Sequence, residues 1–171
     1  AVLDDAIARP VTLGRGGKGS VVLCASGNNN AALSYPAINS NVISVGGVNM
    51  CGYRKSPASF TCDGESWGAS YGAGLDVVAP CVKIATTDIS GTGGYNTAAG
   101  AAGDYFLRFN GTSSATPNTA GVVALILGAN SNLTVNQVRN ILESTCDKLP
   151  AYNYSMVAGQ PNGTWNAETG H

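Results

Sequence analysis

A serine in a glycine-rich turn is the residue of this sequence best placed to do covalent chemistry. Ser113 lies in the run NGTSSATP at residues 110–117, and an apolar, helix-like stretch follows at residues 120–127. The unpaired N–H groups and positive dipole end of a helix start stabilise negative charge formed during attack on a carbonyl. Gly111 permits close approach to the backbone, and Pro117 is compatible with a first helical turn. The alternative on this local pattern is an ordinary Ser/Thr helix cap without chemistry, which is the commoner case.

A carboxamide at the end of a predicted strand favours the nucleophile over the cap. Residues 20–30, SVVLCASGNNN, form a short apolar run that stops at a Gly-Asn turn, so Asn28 follows a buried strand. The ASGN and GTSSATP motifs together resemble the subtilisin-like serine proteases. In subtilisin itself the matching serine is the nucleophile and the matching asparagine donates to the oxyanion. The resemblance implies that Ser113 and Asn28 are catalytic. It also implies that one wall of the substrate pocket is formed by Ala25, Ser26 and Gly27.

Three further segments match the family in the order in which its members carry them. They are NVISVGGV at residues 41–48, LDVVAP at residues 75–80 and LTVNQVRNIL at residues 133–142, while GRGGKGS at residues 14–20 is a weaker, kexin-like feature. The resemblance implies an α/β fold, a subtilisin-like three-layer α/β/α sandwich with a mostly parallel sheet, incomplete at its N-terminal side. Residues 1–171 are expected to form a single partial catalytic domain, the C-terminal portion of a subtilase domain.

The expected order of elements begins with a helix at residues 1–9, followed by two strands separated by a loop. The expected order continues with a long loop, two short strands within residues 75–86, a hairpin-like segment at residues 105–110 and two helices.

The glycine run at residues 14–19 also fits the dinucleotide pattern GxGxxG. That fingerprint must follow a strand and open a helix, whereas here it precedes the strand, so a turn is predicted.

The acid and the base of a subtilisin-like triad precede the asparagine along the chain. The 27 residues before Asn28 contain Asp4 and Asp5 but no histidine, and the one histidine is His171, the last residue. We interpret His171 as structural or merely terminal. A parallel sheet that is incomplete at its N-terminal side exposes apolar surface at the open edge, and such a surface is usually covered by a partner. The expected partner is the N-terminal fragment of the same protease, held noncovalently, or a second copy of the chain.

The leading interpretation is a portion of a serine endopeptidase that hydrolyses peptide or protein substrates through an acyl-enzyme. The chain alone is expected to be inactive, because a serine without its base is little activated. The alternative is a non-catalytic binding or structural module on the same scaffold. An α/β-hydrolase esterase requires GxSxG, and residues 111–115, GTSSA, lack the final glycine.

Composition excludes several other classes. The chain has 171 residues, a net charge of −1 and no basic stripe, so neither nucleic acid nor an anionic membrane is an expected partner. No apolar run approaches the roughly 20 residues that span a bilayer. The resemblance implies a secreted or extracellular location. Glycosylation triplets at Asn132, Asn153 and Asn162 are too common by chance to decide this.

Neither a cofactor nor a metal is predicted. Asp76 stands where relatives often have a weak cation site, but calcium takes six to eight oxygen ligands and one carboxylate is poor evidence. The five cysteines contain no CxxC pair that would suggest zinc. Cys51 and Cys62 flank a loop and are candidates for a disulfide in an oxidising compartment, while Cys24 is expected to behave as a small apolar residue. Cys81 and Cys146 are left unassigned.

Overall fold

The computed structural model contains both helices and strands and describes residues 2–171 except for the side chain of Phe60. The helices are α1 (Val2–Gly17), α2 (Phe60–Asp63), α3 (Thr112–Ala129) and α4 (Val135–Ser144). The strands are β1 (Leu23–Ala25), β2 (Ile43–Val48), β3 (Val77–Pro80), β4 (Ile84–Thr87) and β5 (Tyr105–Phe109). Short 3-10 turns lie at Pro57–Ser59, Gly91–Gly93 and Gly100–Asp104.

A parallel sheet in the order β1-β2-β3 positions the candidate site. Ala25 of β1 pairs with Val45 of β2, which pairs in turn with Val77 of β3. Five of the six residues of β2 are buried, as expected for a central strand of a parallel sheet. The α/β fold with a mostly parallel sheet is confirmed. Because the strands are parallel, the loops that follow β1 and β3 leave the same edge of the sheet.

The hydrophobic core joins this sheet to α3 and α4. Ala115 and Val123 of α3 pack with Val138 and Leu142 of α4 against the apolar side chains of β2 and β3. Burial of an aliphatic side chain contributes about 1.5–3 kcal/mol. Ala115 is fully buried only two residues after Ser113, so the first turn of α3 is held firmly against the sheet.

An antiparallel hairpin of β4 and β5 carries the chain from the sheet to α3. Thr87 pairs with Tyr105, and the register shifts between Ile84 and Thr86. The hairpin-like segment predicted at residues 105–110 is only the second strand of this hairpin, because the first strand, β4, lies at Ile84–Thr87. Its second strand ends at Phe109, three residues before α3 begins, so the hairpin delivers the serine turn to the edge of the sheet.

The first helix is longer than the sequence predicts. It is expected at residues 1–9, of which residue 1 lies outside the described part of the chain, and the helical backbone of α1 continues through Pro10 to Leu13. Non-helical backbone angles at Gly14, Arg15 and Gly16 end it, so the glycine run is a turn, as predicted. None of the helices within residues 2–171 is long and apolar enough to cross a membrane.

A disulfide joins Cys51 and Cys62, the pair that the sequence suggests. It closes the loop that contains the first 3-10 turn and the start of α2. Cys24, Cys81 and Cys146 are free thiols, and Cys24 is only half-buried. Burial raises the pKa of Cys81 to about 12, so this thiol stays protonated and inert at neutral pH.

Candidate active site

The candidate site lies at the sheet edge where β1 and β3 end. Asn28 stands three residues after β1, and Cys81 directly follows β3. The N–H of Gly111 donates to the carbonyl of Cys81 at 2.9 Å, which ties the start of α3 to this edge. The structure therefore brings the loop of Asn28 and the turn of Ser113 together, although 84 residues separate Asn28 from Thr112 along the chain.

Hydrogen bonds fix the orientation of the Asn28 carboxamide. Its Oδ1 accepts from the backbone N–H of Thr112 at 2.9 Å and from the hydroxyl of Thr112 at 3.0 Å. With Oδ1 held by donors at the start of α3, Nδ2 is the end that remains to donate. Asn28 and Ser113 are both exposed, so a ligand can reach them. The carboxamide thus presents an N–H donor beside the serine.

Thr112 is a buried residue that organises the site. Its hydroxyl donates to Asn28 and accepts from the backbone N–H of Gly27 at 3.2 Å. Both polar functions of the side chain therefore hold the Asn28 loop against α3. From the sequence, the only role open to Thr112 is the Ser/Thr helix cap, for which Ser113 is equally a candidate. Its position directly before Ser113 is the sequence feature that could have drawn attention to Thr112. Its hydrogen-bond partners, Gly27 and Asn28, lie in a distant segment and are not evident from the sequence.

Ser113 is not the cap of its own helix. The residue before α3 is Gly111, which has no side chain to donate or accept, and Asn28 meets the N–H of Thr112 from another part of the chain. Ser113 is the second residue of α3, so its N–H belongs to the four at a helix start that have no acceptor within the helix. The hydroxyl of Ser114 donates to the carbonyl of Gly111 at 2.7 Å. This leaves Ser113 as the exposed hydroxyl of the turn.

Gly111 has a backbone conformation that requires glycine. Its φ of 111° and ψ of 161° lie in a region that other residues reach only at a cost. A Cβ at this position would stand 3.2 Å from Nδ2 of Asn28. The glycine therefore allows the turn and the carboxamide to approach each other.

Pro117 lies deeper in the helix than the sequence predicts. It was expected in a first turn, but α3 begins at Thr112 and makes Pro117 its sixth residue. The helix begins early because Asn28 satisfies the N–H of Thr112 from outside. Proline has no N–H, so the helical bond that residue 117 would give to the carbonyl of Ser113 is missing.

The predicted substrate wall runs from the end of β1 to Asn28. Ala25 is the last residue of β1, and Gly27 has a φ of 107°. Ser26 is buried, and its hydroxyl donates to the carbonyl of Ser70 at 2.9 Å. Because the hydroxyl is already bonded, a ligand at this wall would meet the backbone of Ser26 and not its side chain. The N–H of Ser70 donates to the carbonyl of Gly27 at 2.8 Å. The role of these three residues in substrate binding stays a prediction.

The other titratable residues considered for catalysis lie away from Ser113. Asp5 is exposed on α1, and Asp4 accepts from the side chain of Asn39, in the loop that leads into β2. The N–H of His171 donates to the carbonyl of Asp76, the residue before β3. His171 is therefore at the opposite end of the sheet from Ser113, which agrees with a structural role.

A buried charged cluster occupies that opposite end. Asp76 accepts from the N–H of Ser44 at 2.7 Å and pairs with Arg139 at 3.4 Å. Arg139 also donates to the carbonyls of Ser40 and Val42, so a side-chain cation already stands beside Asp76. Burial raises the pKa of Asp76, and it raises that of Glu143 to about 7.

An α/β chain with a strand-end carboxamide beside a helix-start serine has the architecture of subtilisin-like proteins. The chain matches the Subtilase family (peptidase S8) over residues 2–166 and belongs to that family.

Known relatives agree with this membership. A calcium-dependent protease of a Nostoc species is 37% identical over 159 residues, which are 88% of this chain and 24% of that protein. Subtilisin BL of Lederbergia lenta is 36% identical over 137 residues, 80% of this chain and 42% of that protein. The Aeromonas sobria serine protease, solved with its chaperone ORF2, shares the fold with a TM-score of 0.79 at 20% identity, over 99% of this chain and 37% of that chain. The chain thus spans less than half the length of each of these relatives.

Proposed function

We propose that this chain is the part of a serine endopeptidase that carries the nucleophile and the oxyanion site. The supporting observation is the pair of bonds from Thr112 to Oδ1 of Asn28, at 2.9 and 3.0 Å. They hold Oδ1 of Asn28, which leaves its amide N–H available to donate next to the turn that carries the exposed Ser113. A peptide carbonyl placed there meets a nucleophile and two donors, which is the arrangement that acyl transfer requires.

The proposed reaction proceeds through an acyl-enzyme. The Ser113 hydroxyl oxygen attacks the carbonyl carbon of the scissile peptide while its proton passes to a general base. The negative charge that develops on the carbonyl oxygen is stabilised by Nδ2 of Asn28 and the backbone N–H of Ser113. Collapse of the intermediate expels the amine, which receives the proton, and water then hydrolyses the ester of Ser113 by the same route in reverse.

The base and its orienting acid are proposed to come from residues outside residues 1–171. They are supplied by the N-terminal fragment of the same protease or by a second copy of the chain, so the chain alone is nearly inert. The Aeromonas sobria structure, a protease with a chaperone, agrees with a protein partner for this chain as well. The Cys51–Cys62 disulfide supports an oxidising, extracellular location, because such bonds rarely persist in the cytosol.

A fluorophosphonate probe tests the proposal. The chain is treated alone and joined to the upstream segment of its natural protein, and the site of labelling is found by mass spectrometry. We expect labelling of Ser113 in the joined protein only, abolished by Ser113→Ala and retained in the control Ser66→Ala, an exposed loop serine. A joined protein that is folded but unlabelled would favour the non-catalytic module instead.

A further inference from the structure

Arg54 is a buried arginine that lies behind the Asn28 loop and has no part in the proposed chemistry. It is 8% exposed. Its Nη1 donates to Oδ1 of Asn30 at 2.8 Å and to the carbonyl of Ala69 at 2.9 Å. Its Nε donates to Glu168 at 2.9 Å. One guanidinium therefore connects the loop after β1 with two segments that are distant in sequence.

The residue that Arg54 holds is strained and close to Asn28. Asn30 has a φ of 51°, in the left-handed region, where asparagine is one of the residues best tolerated. Its N–H donates to the carbonyl of Gly68 at 2.8 Å, and Asn29 forms a bridge with Gly68. The bond from Arg54 to Oδ1 holds the side chain of Asn30 in this arrangement. Asn28 is thus fixed at one side by Thr112 and at the other by the conformation of Asn30.

The segment beneath the loop depends on the same guanidinium. Arg54 lies 4.0 Å from the centre of the Tyr71 ring and bonds the carbonyl of Ala69. The N–H of Ser70 donates to the carbonyl of Gly27, and that of Tyr71 donates to the carbonyl of Ala31. The segment at residues 68–71 therefore brackets Asn28 with hydrogen bonds before and after it, and Arg54 holds both the segment and the loop.

The planar fork of the guanidinium explains why arginine stands here. Separate nitrogens reach Asn30 and Glu168, whereas a lysine ammonium is a single point that cannot match both directions. The Glu168 side chain is 45% exposed, so the ion pair is screened by water and is the weaker part of the arrangement.

We propose that Arg54 is a positioning residue, which orders residues 28–30 through Asn30 and thereby holds the Asn28 carboxamide in place for the oxyanion. The inference rests on the proposed function for its catalytic consequence. Its structural part, the ordering of the loop, does not.

Two substitutions of Arg54 test the inference in the complete natural protein. Arg54→Gln removes the charge, and Arg54→Lys keeps the charge but loses the fork. Both are expected to raise amide hydrogen exchange at Asn30 and Ser70 by about tenfold, because a charge-assisted bond to the loop is lost. Both are expected to lower kcat by about 10- to 100-fold with little change in KM, since misplaced catalytic groups act on the transition state. A merely structural charge would be rescued by lysine.

Matched variants separate the loop bond from the ion pair. Glu168→Gln removes the ion pair and is expected to leave both exchange and kcat near the unaltered values. Asn30→Gly removes the acceptor of the loop bond without leaving a buried charge unpaired, and it should resemble Arg54→Gln. Asn30→Asp keeps an acceptor and a residue type that tolerates this φ, so it should resemble the unaltered protein.

The outcomes distinguish this inference from the proposed function. Normal exchange at Asn30 and Ser70 in Arg54→Lys, or the same loss in Glu168→Gln as in Arg54→Gln, would overturn the role of Arg54. Faster amide hydrogen exchange with unchanged kcat would also overturn the role of Arg54, because the order of the loop would then not determine the position of Asn28. An unaltered protein that the fluorophosphonate does not label defeats the proposed function, while exchange still decides whether Arg54 orders the loop.

Discussion

At the scale of single residues, the site depends on how Asn28, Gly111 and Thr112 fit together. Thr112 holds Oδ1 of Asn28 through its N–H and its hydroxyl, and Gly111 leaves space for Nδ2. Together they turn a flexible surface amide into a donor of fixed direction, which is what stabilisation of a developing charge requires.

Removal of the Asn28 donor should slow the reaction without weakening substrate binding. In the complete natural protein we expect Asn28→Ala to lower kcat by about 10²–10³-fold with KM nearly unchanged, a magnitude established for subtilisin and carried over by family membership. The control is Asn136→Ala, an exposed position on α4. Steady-state kinetics on a peptide substrate measure both constants. A fall in affinity with normal kcat would contradict an oxyanion role.

A methyl group at Gly111 should damage the site, whereas one at Gly121 should not. Gly111→Ala is expected to lose about 1–3 kcal/mol of unfolding free energy, because φ is 111° and the new Cβ would approach Asn28. In the joined protein it should also slow fluorophosphonate labelling of Ser113. An added methyl at Gly121, inside α3, would meet nothing within 4 Å, so Gly121→Ala should add up to about 1 kcal/mol. Urea unfolding measures the stability of both variants. Equal stabilities of Gly111→Ala and Gly121→Ala would show that residue 111 does not require glycine.

At the scale of elements, α3 and α4 begin in different ways. α4 starts with a capping box in which Thr134 accepts from the N–H of Gln137 at 3.3 Å and donates its own N–H to the Gln137 side chain at 2.9 Å. α3 has no such local device, and its first N–H is met by Asn28. The start of α4 can therefore be predicted from neighbouring residues, while the start of α3 depends on the sheet.

Loss of the α4 cap should reduce stability modestly and leave the active site intact. We expect Thr134→Ala to lower the unfolding free energy by about 1 kcal/mol, with unchanged labelling of Ser113 in the joined protein. Thr97→Ala, at an exposed loop position, is the control and should be nearly neutral. The midpoint of urea unfolding measures the difference. A stability equal to the control would mean that the capping box contributes nothing in solution.

At the scale of the whole molecule, the two ends of the parallel sheet serve different purposes. The edge after β1 and β3 carries exposed polar groups around Ser113. The edge before β3 buries Asp76, Glu143 and His171 with Arg139. Burial raises the pKa of Glu143 to about 7 and lowers that of His171. The second edge therefore responds to pH through stability rather than through chemistry.

The raised pKa of Glu143 sets the sign of this response. Its folded-state pKa of about 7 exceeds the ordinary value of 4.5, so its contribution to stability is fully present below pH 4.5 and is lost as the pH rises through 7. Glu143→Gln mimics the protonated form, so its stability relative to the unaltered protein should increase between pH 4.5 and 7.5. The unfolding free energies of both proteins, measured across this pH range, test the prediction. Parallel curves of stability against pH for the two proteins would disprove it. The lowered pKa of His171 acts oppositely, stabilising above about pH 6.5.

The sequence predicted most of the elements but not all of their limits. The strands around residues 43–48 and 77–80 and the last helix are implied by contiguous motifs that resemble the family, and α3 follows from a local apolar stretch. Strand β1 is limited to Leu23–Ala25, shorter than its apolar run, because pairing with β2 decides which residues join the sheet. The early start of α3 has the same origin, since a partner from another segment determines it.

By itself, the sequence determined the family, the α/β class and the identity of the candidate nucleophile and carboxamide, because these are carried by contiguous motifs. Only the tertiary structure decided that Thr112 directs Asn28, that His171 lies at the far end of the sheet, and that Arg54 reaches the Asn28 loop. Those contacts join residues 24 to 95 positions apart. Local propensity carries no information about such distant pairs, which are fixed only when the parallel sheet aligns the ends of its strands.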